Sequence, residues 1–118
     1  MTAPEWKPVQ FYGPIRKVIH NWPDEVRKEL GAVLTQLQKG ESVGMPDVRS
    51  MTSVASGVAE IRVADRSGIF RTFHVIHSDH GILVFHAFTK KTQKTPAQEL
   101  ETGKRRLKEF LMELGEKK

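Results

Sequence analysis

Cysteine is absent from these 118 residues, which excludes disulfides, thiol nucleophiles and thiolate metal ligands. Long hydrophobic runs are absent too. None approaches the ~20 residues of a membrane-spanning helix, and the N-terminal MTAPEWKPVQ has no signal-peptide pattern. A cytoplasmic protein with no membrane role is the expectation. Repeats and low-complexity tracts are missing, and the length suits a single domain, 1–118, with one core and no linker. The last absence is local. The stretch HAFTKKTQKTP, His86 to Pro96, contains no acid among its eleven residues.

That gap belongs to a wider asymmetry. The chain has 19 Lys+Arg against 14 Asp+Glu, for a net charge of +5. From Lys90 onward there are nine Lys/Arg against five Glu, and before it ten against nine, so the excess sits in the last quarter. Such a patch suits a polyanion, and it also suits a solvated basic helix.

The clearest element is NWPDEVRKELGAVLTQLQKG. Pro23 fits a first helical turn, and Asp24 and Glu25 suit its positive end. Val26, Leu30, Val33, Leu34 and Leu37 form a helical stripe, and Gly40 can end it in left-handed geometry. A short amphipathic helix is expected around residues 15–19, and VQFYG before it reads as an edge strand. Residues 41–57 are rich in Gly, Pro, Ser and Thr and read as a loop.

Three strands then follow. VAEIRVA alternates, with Val58, Glu60, Arg62 and Ala64 on one face and Ala59, Ile61 and Val63 on the other. DRSG and HSDHG are turns around IFRTFHVI, and ILVFHAF is apolar on both faces, as an interior strand is. Thr95-Pro96-Ala97-Gln98 has the form of a capping box that opens a last helix striped by Leu100, Leu107, Leu111 and Leu114, with Phe110 alongside. Glu101, Arg105 and Glu109 lie at i,i+4 spacing on it. The expected fold is α+β: two N-terminal helices, an antiparallel sheet of three to four strands and a C-terminal helix.

Arg62, Arg71 and the pair Lys90-Lys91 fall in or just beyond three successive strands. Neighbouring strands lie about 5 Å apart, so these cations can share one patch. Two explanations stand: an exposed face paired with Glu60, Asp65 and Arg66, or a face that holds phosphates.

At this point the ordered set of motifs carries a resemblance. GVAEIRVADRSGIFRTFHVI, then ILVFHAFTKKTQKTPAQELETGKRR, preceded by WPDEVRKELGAVLTQLQKG, is similar to the RelE/ParE toxin superfamily and within it to phage-derived HigB-like toxins. The similarity spans residues 10–112, and FTKKTQKTP is its most specific part. The resemblance implies the RelE/ParE-like fold and a type II toxin–antitoxin toxin that cuts mRNA in the ribosomal A site. It also implies metal-independent attack by the substrate's own 2′-OH and no cofactor. The implied partners are mRNA on the ribosome and a cognate helix-turn-helix antitoxin, with assembly into a higher-order toxin–antitoxin complex.

By the same resemblance Arg71 matches the strand arginine at the scissile phosphate. Arg62 matches the second position of a Lys-x-Lys-like pair whose first position is Glu60 here. Lys91 matches the basic residue that stabilises charge or protonates the leaving 5′-oxygen. Lys90, Lys94 and Arg49 are expected to bind RNA, with an exposed Phe73 available for base stacking. The tyrosine that some relatives place six residues after Lys91 is Ala97, and the sole tyrosine, Tyr12, is outside the motif. Glu60 is left either as a general base or as the salt-bridge partner of Arg62.

His20, His74, His77, His80 and His86 offer no metal-ligand spacing with supporting carboxylates, so no metal is expected. His86 reads as a packed strand histidine on the face of Phe88 and Lys90, and Trp6 and Trp22 as packing anchors. Two other functions remain open: a ParE-like gyrase inhibitor, and a non-catalytic basic RNA- or protein-binding module of phage origin.

Overall fold

The stripe of Val26, Leu30, Val33, Leu34 and Leu37 is buried along helix α2, Asp24–Gln38, which carries Asp24 and Glu25 in its first turn. Gly40 follows with φ 86°, the left-handed conformation expected of a helix-ending glycine. Ahead of α2 lie strand β1, Val9–Phe11, and helix α1, Gly13–His20, with Pro14 in its first turn. After it come strands β2, Val48–Ser50, β3, Val58–Asp65, β4, Gly68–His77, and β5, Gly81–Lys90, then helix α3, Ala97–Glu113. This is a computed structural model, and it describes residues 6–91 and 94–115.

The fold class is α+β as expected, but the sheet has five strands in the order β1-β5-β4-β3-β2 and is mixed. β1 runs parallel to β5, because the chain crosses through α1 and α2 before it returns to the sheet. β2 lies inside the stretch read as a loop. With three residues paired to β3, it is too short to show a period-2 pattern.

Alternate residues of the strands divide the interior. Ile61, Val63, Phe70, Ile82, Val84 and Ala87 face α2, with Trp22 edge-on to Phe70 at 5.2 Å. Val58, Phe73, Leu83, Phe85 and Phe88 face α3, which buries Leu107 and Phe110 against them. Trp22 is therefore a packing anchor, whereas Trp6 is half exposed beneath the Lys39 ammonium, 5.3 Å from its ring.

Two close approaches fix the layers. α3 crosses so near the sheet that a Cβ on Gly103 would lie 2.7 Å from the Phe73 ring. Gly81, at φ 87°, lets β1 pass, since a Cβ there would meet the Pro8 carbonyl oxygen at 2.3 Å. Between Phe73 and His74 the β4–β5 register shifts: Phe73 pairs with His86 and His74 with Val84, which leaves Phe85 as the extra residue of a bulge. Phe85 and His86 consequently both lie on the α3 side.

Candidate active site

Beyond the aromatic part of the α3 face, the same alternation turns to charge. Arg49 on β2 is opposite Glu60 on β3, and Arg62 is opposite Arg71 on β4. Two like charges in directly opposed positions are unfavourable on a sheet, so the pair needs a counterion. Glu60 supplies it. Its Oε1 takes the Arg62 Nε–H at 2.5 Å, and its Oε2 lies 3.9 Å from Arg71 Nη1. Glu60 and Arg71 are both 0% exposed. Of the two expected roles for Glu60, the geometry displays the salt bridge.

Thr95 completes the cluster. Its hydroxyl donates to Glu60 Oε2 at 3.0 Å and accepts from Arg71 Nη1 at 3.1 Å. The capping-box reading of Thr95 is thus corrected. The residue at the helix N-cap is Pro96, no side chain caps α3, and the Glu99 and Leu100 amides go to the Pro96 carbonyl. The Thr-Pro pattern hid a group that faces the sheet.

Burial lowers the Arg71 guanidinium from its ordinary value. Glu60 opposes that shift, and the fields of Arg62 and Arg49 reinforce it. Arg62 and Arg71 thus share one carboxylate, and Arg49 on the neighbouring strand adds a third positive charge whose field reaches Arg71. Arg71 also sits 5.9 Å from the centre of the Phe88 ring. A groove runs past Arg49 and Arg62, the cluster's two partly exposed arginines, and is lined also by the carboxylates Glu29 and Asp47 and by Pro46, Val63, Ala64 and Ile69; Glu60 and Arg71 do not line it.

A second network lies along β5. Arg106 Nη1 meets His86 Nδ1 at 3.1 Å, and His86 Nε2 meets Glu99 Oε1 at 2.8 Å. Arginine can only donate, so Nδ1 is the acceptor and the imidazole proton is on Nε2, directed at Glu99. Glu99 also lies 3.7 Å from Lys90 Nζ. Burial depresses the His86 pKa, Glu99 opposes the shift, and Arg106 and Arg105 add to it. His86 is a packed strand histidine, as expected, stacked on Phe88 at 5.2 Å. Glu99 and Arg106 had been missed. Their spacing of seven on a helix whose other residues pack on the sheet was the available signal.

The expected site residues are not all brought together. Arg49, Glu60, Arg62 and Arg71 form one cluster, and Lys90 joins the neighbouring network. Lys91 is exposed at the strand end beside Gly68, and Lys94 is exposed at the approach to α3. Phe73 is a correction: it is 0% exposed, covered by α3 at Gly103, so its ring offers no face for base stacking. Tyr12 is remote in role as well as in sequence, its hydroxyl donating to Glu109 at 2.7 Å, a bond that raises its pKa.

Among the described residues no group of three His, Asp or Glu is placed to hold a metal ion. No helix among them is long and apolar enough to cross a membrane.

Fold and cluster define a small α+β domain with arginines paired to a buried Glu60 on the helix-covered face of a strand meander. Residues 17–108 match the family described as phage derived protein Gp49-like (DUF891), and the chain belongs to that family, which is associated with RelE/ParE-like toxins. No curated protein matches the chain.

Proposed function

We propose that this protein is a HigB-like toxin of a type II toxin–antitoxin pair, an endoribonuclease that cuts mRNA on the ribosome. The observation that carries the reading is the pair Arg62 and Arg71 on one buried carboxylate, with Arg49 opposite it on β2 and with Arg49 and Arg62 lining a surface groove. In the proposed reaction the substrate's 2′-OH attacks the adjacent phosphorus and loses its proton. The P–O5′ bond breaks, the 5′-oxygen takes up a proton, and a 2′,3′-cyclic phosphate remains. Charge builds on the phosphoryl oxygens along the way, and fixed cations stabilise it without reorganising at the moment of reaction. Arginine suits the task, because its planar fork can meet two phosphate oxygens.

Arg71 is fully covered and Arg62 reaches the surface, so an incoming phosphate meets Arg62 and Arg49 first. Arg71 then acts from behind as field, and as a direct donor once the Thr95 hydroxyl gives way. Lys90, Lys91 and Lys94 extend the positive surface along the RNA backbone. The partners in this reading are the ribosome-bound message and an antitoxin with a helix-turn-helix domain.

The test is cleavage by purified protein in EDTA. Translating ribosomes should yield mRNA fragments that end in 2′,3′-cyclic phosphate, while naked RNA stays intact. Efficient cleavage of naked RNA that EDTA abolishes would contradict the proposal.

A further inference from the structure

Thr95 Oγ1 stands between two groups that face each other across the cluster, and one hydroxyl serves both. It donates its only proton to Glu60 Oε2 and accepts from Arg71 Nη1. At 3.9 Å, Arg71 Nη1 and Glu60 Oε2 are beyond hydrogen-bond reach of each other. The other carboxylate oxygen is held by Arg62 Nε at 2.5 Å. Both ends of Glu60 are therefore committed, one to an arginine directly and one to an arginine through the hydroxyl.

We propose that Thr95 is a positioning residue: its hydroxyl divides the Glu60 carboxylate between Arg62 and Arg71 and so sets where both guanidinium groups sit. The inference rests on the nuclease reading for its consequence, and on the geometry alone for the coupling. Without the hydroxyl, a buried carboxylate oxygen and a buried guanidinium nitrogen each lose a partner, at a cost that drives them together. The carboxylate then turns toward Arg71 and away from Arg62. A shift of about 1 Å in a cation that stabilises the transition state is enough to slow a reaction by about 10-fold or more. A role in helix capping does not account for the hydroxyl, because α3 is capped by backbone alone at Pro96.

Serine keeps the hydroxyl, whereas valine keeps the shape and removes it. The experiment compares Thr95→Val and Thr95→Ser in two readouts, after melting curves show each variant folded; Thr95→Ala is read in the same way should the valine protein not fold. One readout is the Arg62 Nε–H proton resonance, which a hydrogen bond as short as that to Glu60 displaces strongly downfield. The other is the single-turnover rate of mRNA cleavage at saturating ribosomes. Thr95→Val should move the Arg62 resonance upfield and lower the rate about 10-fold, with the half-saturating concentration unchanged. Thr95→Ser should match the wild type in both. A valine variant with the wild-type rate overturns the assignment, and so does a serine variant that fails as valine does. If the wild-type protein cuts no mRNA, the nuclease reading falls, and the Arg62 resonance alone decides whether Thr95 couples the two arginines.

Discussion

On the α2 face of the sheet Ile61, Val63, Phe70 and Ala87 meet a helix stripe of valine and leucine. One residue along the same strands, Glu60, Arg62, Arg71 and Phe88 face the other way, and three of those four are charged. The α2 face has polar groups as well, Thr72 and His74, but burial keeps His74 neutral. A domain of this size gains stability from the first kind of face and very little from the second, since replacing a buried ion pair by apolar groups is often neutral or stabilising. Departures from local good sense of this kind gather where a protein binds or reacts. The difference between the faces is what the proposed site on the α3 side rests on.

The comparison breaks if adjacent residues of β4 respond alike. Phe70→Ala opens a hole in the α2 core beside Trp22 and should lower stability by about 3–5 kcal/mol, seen as a large drop in melting temperature. Arg71→Met, its neighbour, removes one partner of the buried Glu60 but leaves it Arg62 and Thr95, and should cost about 1–3 kcal/mol, less than the core cavity. A loss from Arg71→Met as large as that from Phe70→Ala would make the cluster structural.

Acid sharpens the contrast next. His74 has its pKa pushed down to about 4 by burial, against an ordinary value of 6.5. The folded state therefore prefers the neutral imidazole. Its contribution is complete above about pH 6.5 and is lost as the pH falls toward 4, amounting to about 3 kcal/mol. His86 titrates with the same sign. His74→Leu should flatten the fall in melting temperature over that window while leaving the α3 side intact. An unchanged pH profile would remove His74 from the account.

The smallest effect concerns the seam between α3 and the charged face. Gly103→Ala adds a helix-favouring residue worth about 1 kcal/mol, yet its methyl would press on the buried Phe73 ring at under 3 Å. The net outcome should be a loss of about 1–2 kcal/mol in denaturant titration, relieved by Phe73→Leu. A stabilised Gly103→Ala protein would show that α3 is free to lift from the sheet.

Elements with several periods of pattern were legible in the residues. The stripe of α2 and the alternation of β3 needed no tertiary information, and Glu60 and Arg62 fell on one face because strands alternate. What escaped depends on contacts distant in sequence. β1 was read as an edge strand from VQFYG, but its parallel pairing to β5 was not legible, and β2 is three residues long and a strand only because β3 lies beside it. The bulge at Phe85 shows only as a shift between two strands, and it brings both Phe85 and His86 to the α3 side. Thr95 was misread because Thr-Pro-Ala-Gln satisfies a local rule, while its hydroxyl obeys a partner 35 residues away. Phe73 looked available because nothing in its own strand shows that Gly103 lets a helix cover it.

The most direct test sets Arg71 against Lys108, an exposed cation on α3. If only net positive charge matters, removal of either should slow mRNA cleavage to a similar degree. If the β-sheet cluster stabilises the transition state, Arg71→Ala should lose on the order of 10²-fold in rate, the usual size for one such donor. Arg71→Lys should recover little of it, because the fork is gone while the charge remains. Lys108→Ala should lose only a few-fold, and that loss should shrink as salt rises. Each variant is first shown folded by circular dichroism. Equal losses in folded Arg71→Ala and Lys108→Ala proteins would contradict a catalytic cluster and leave a basic binding module in its place.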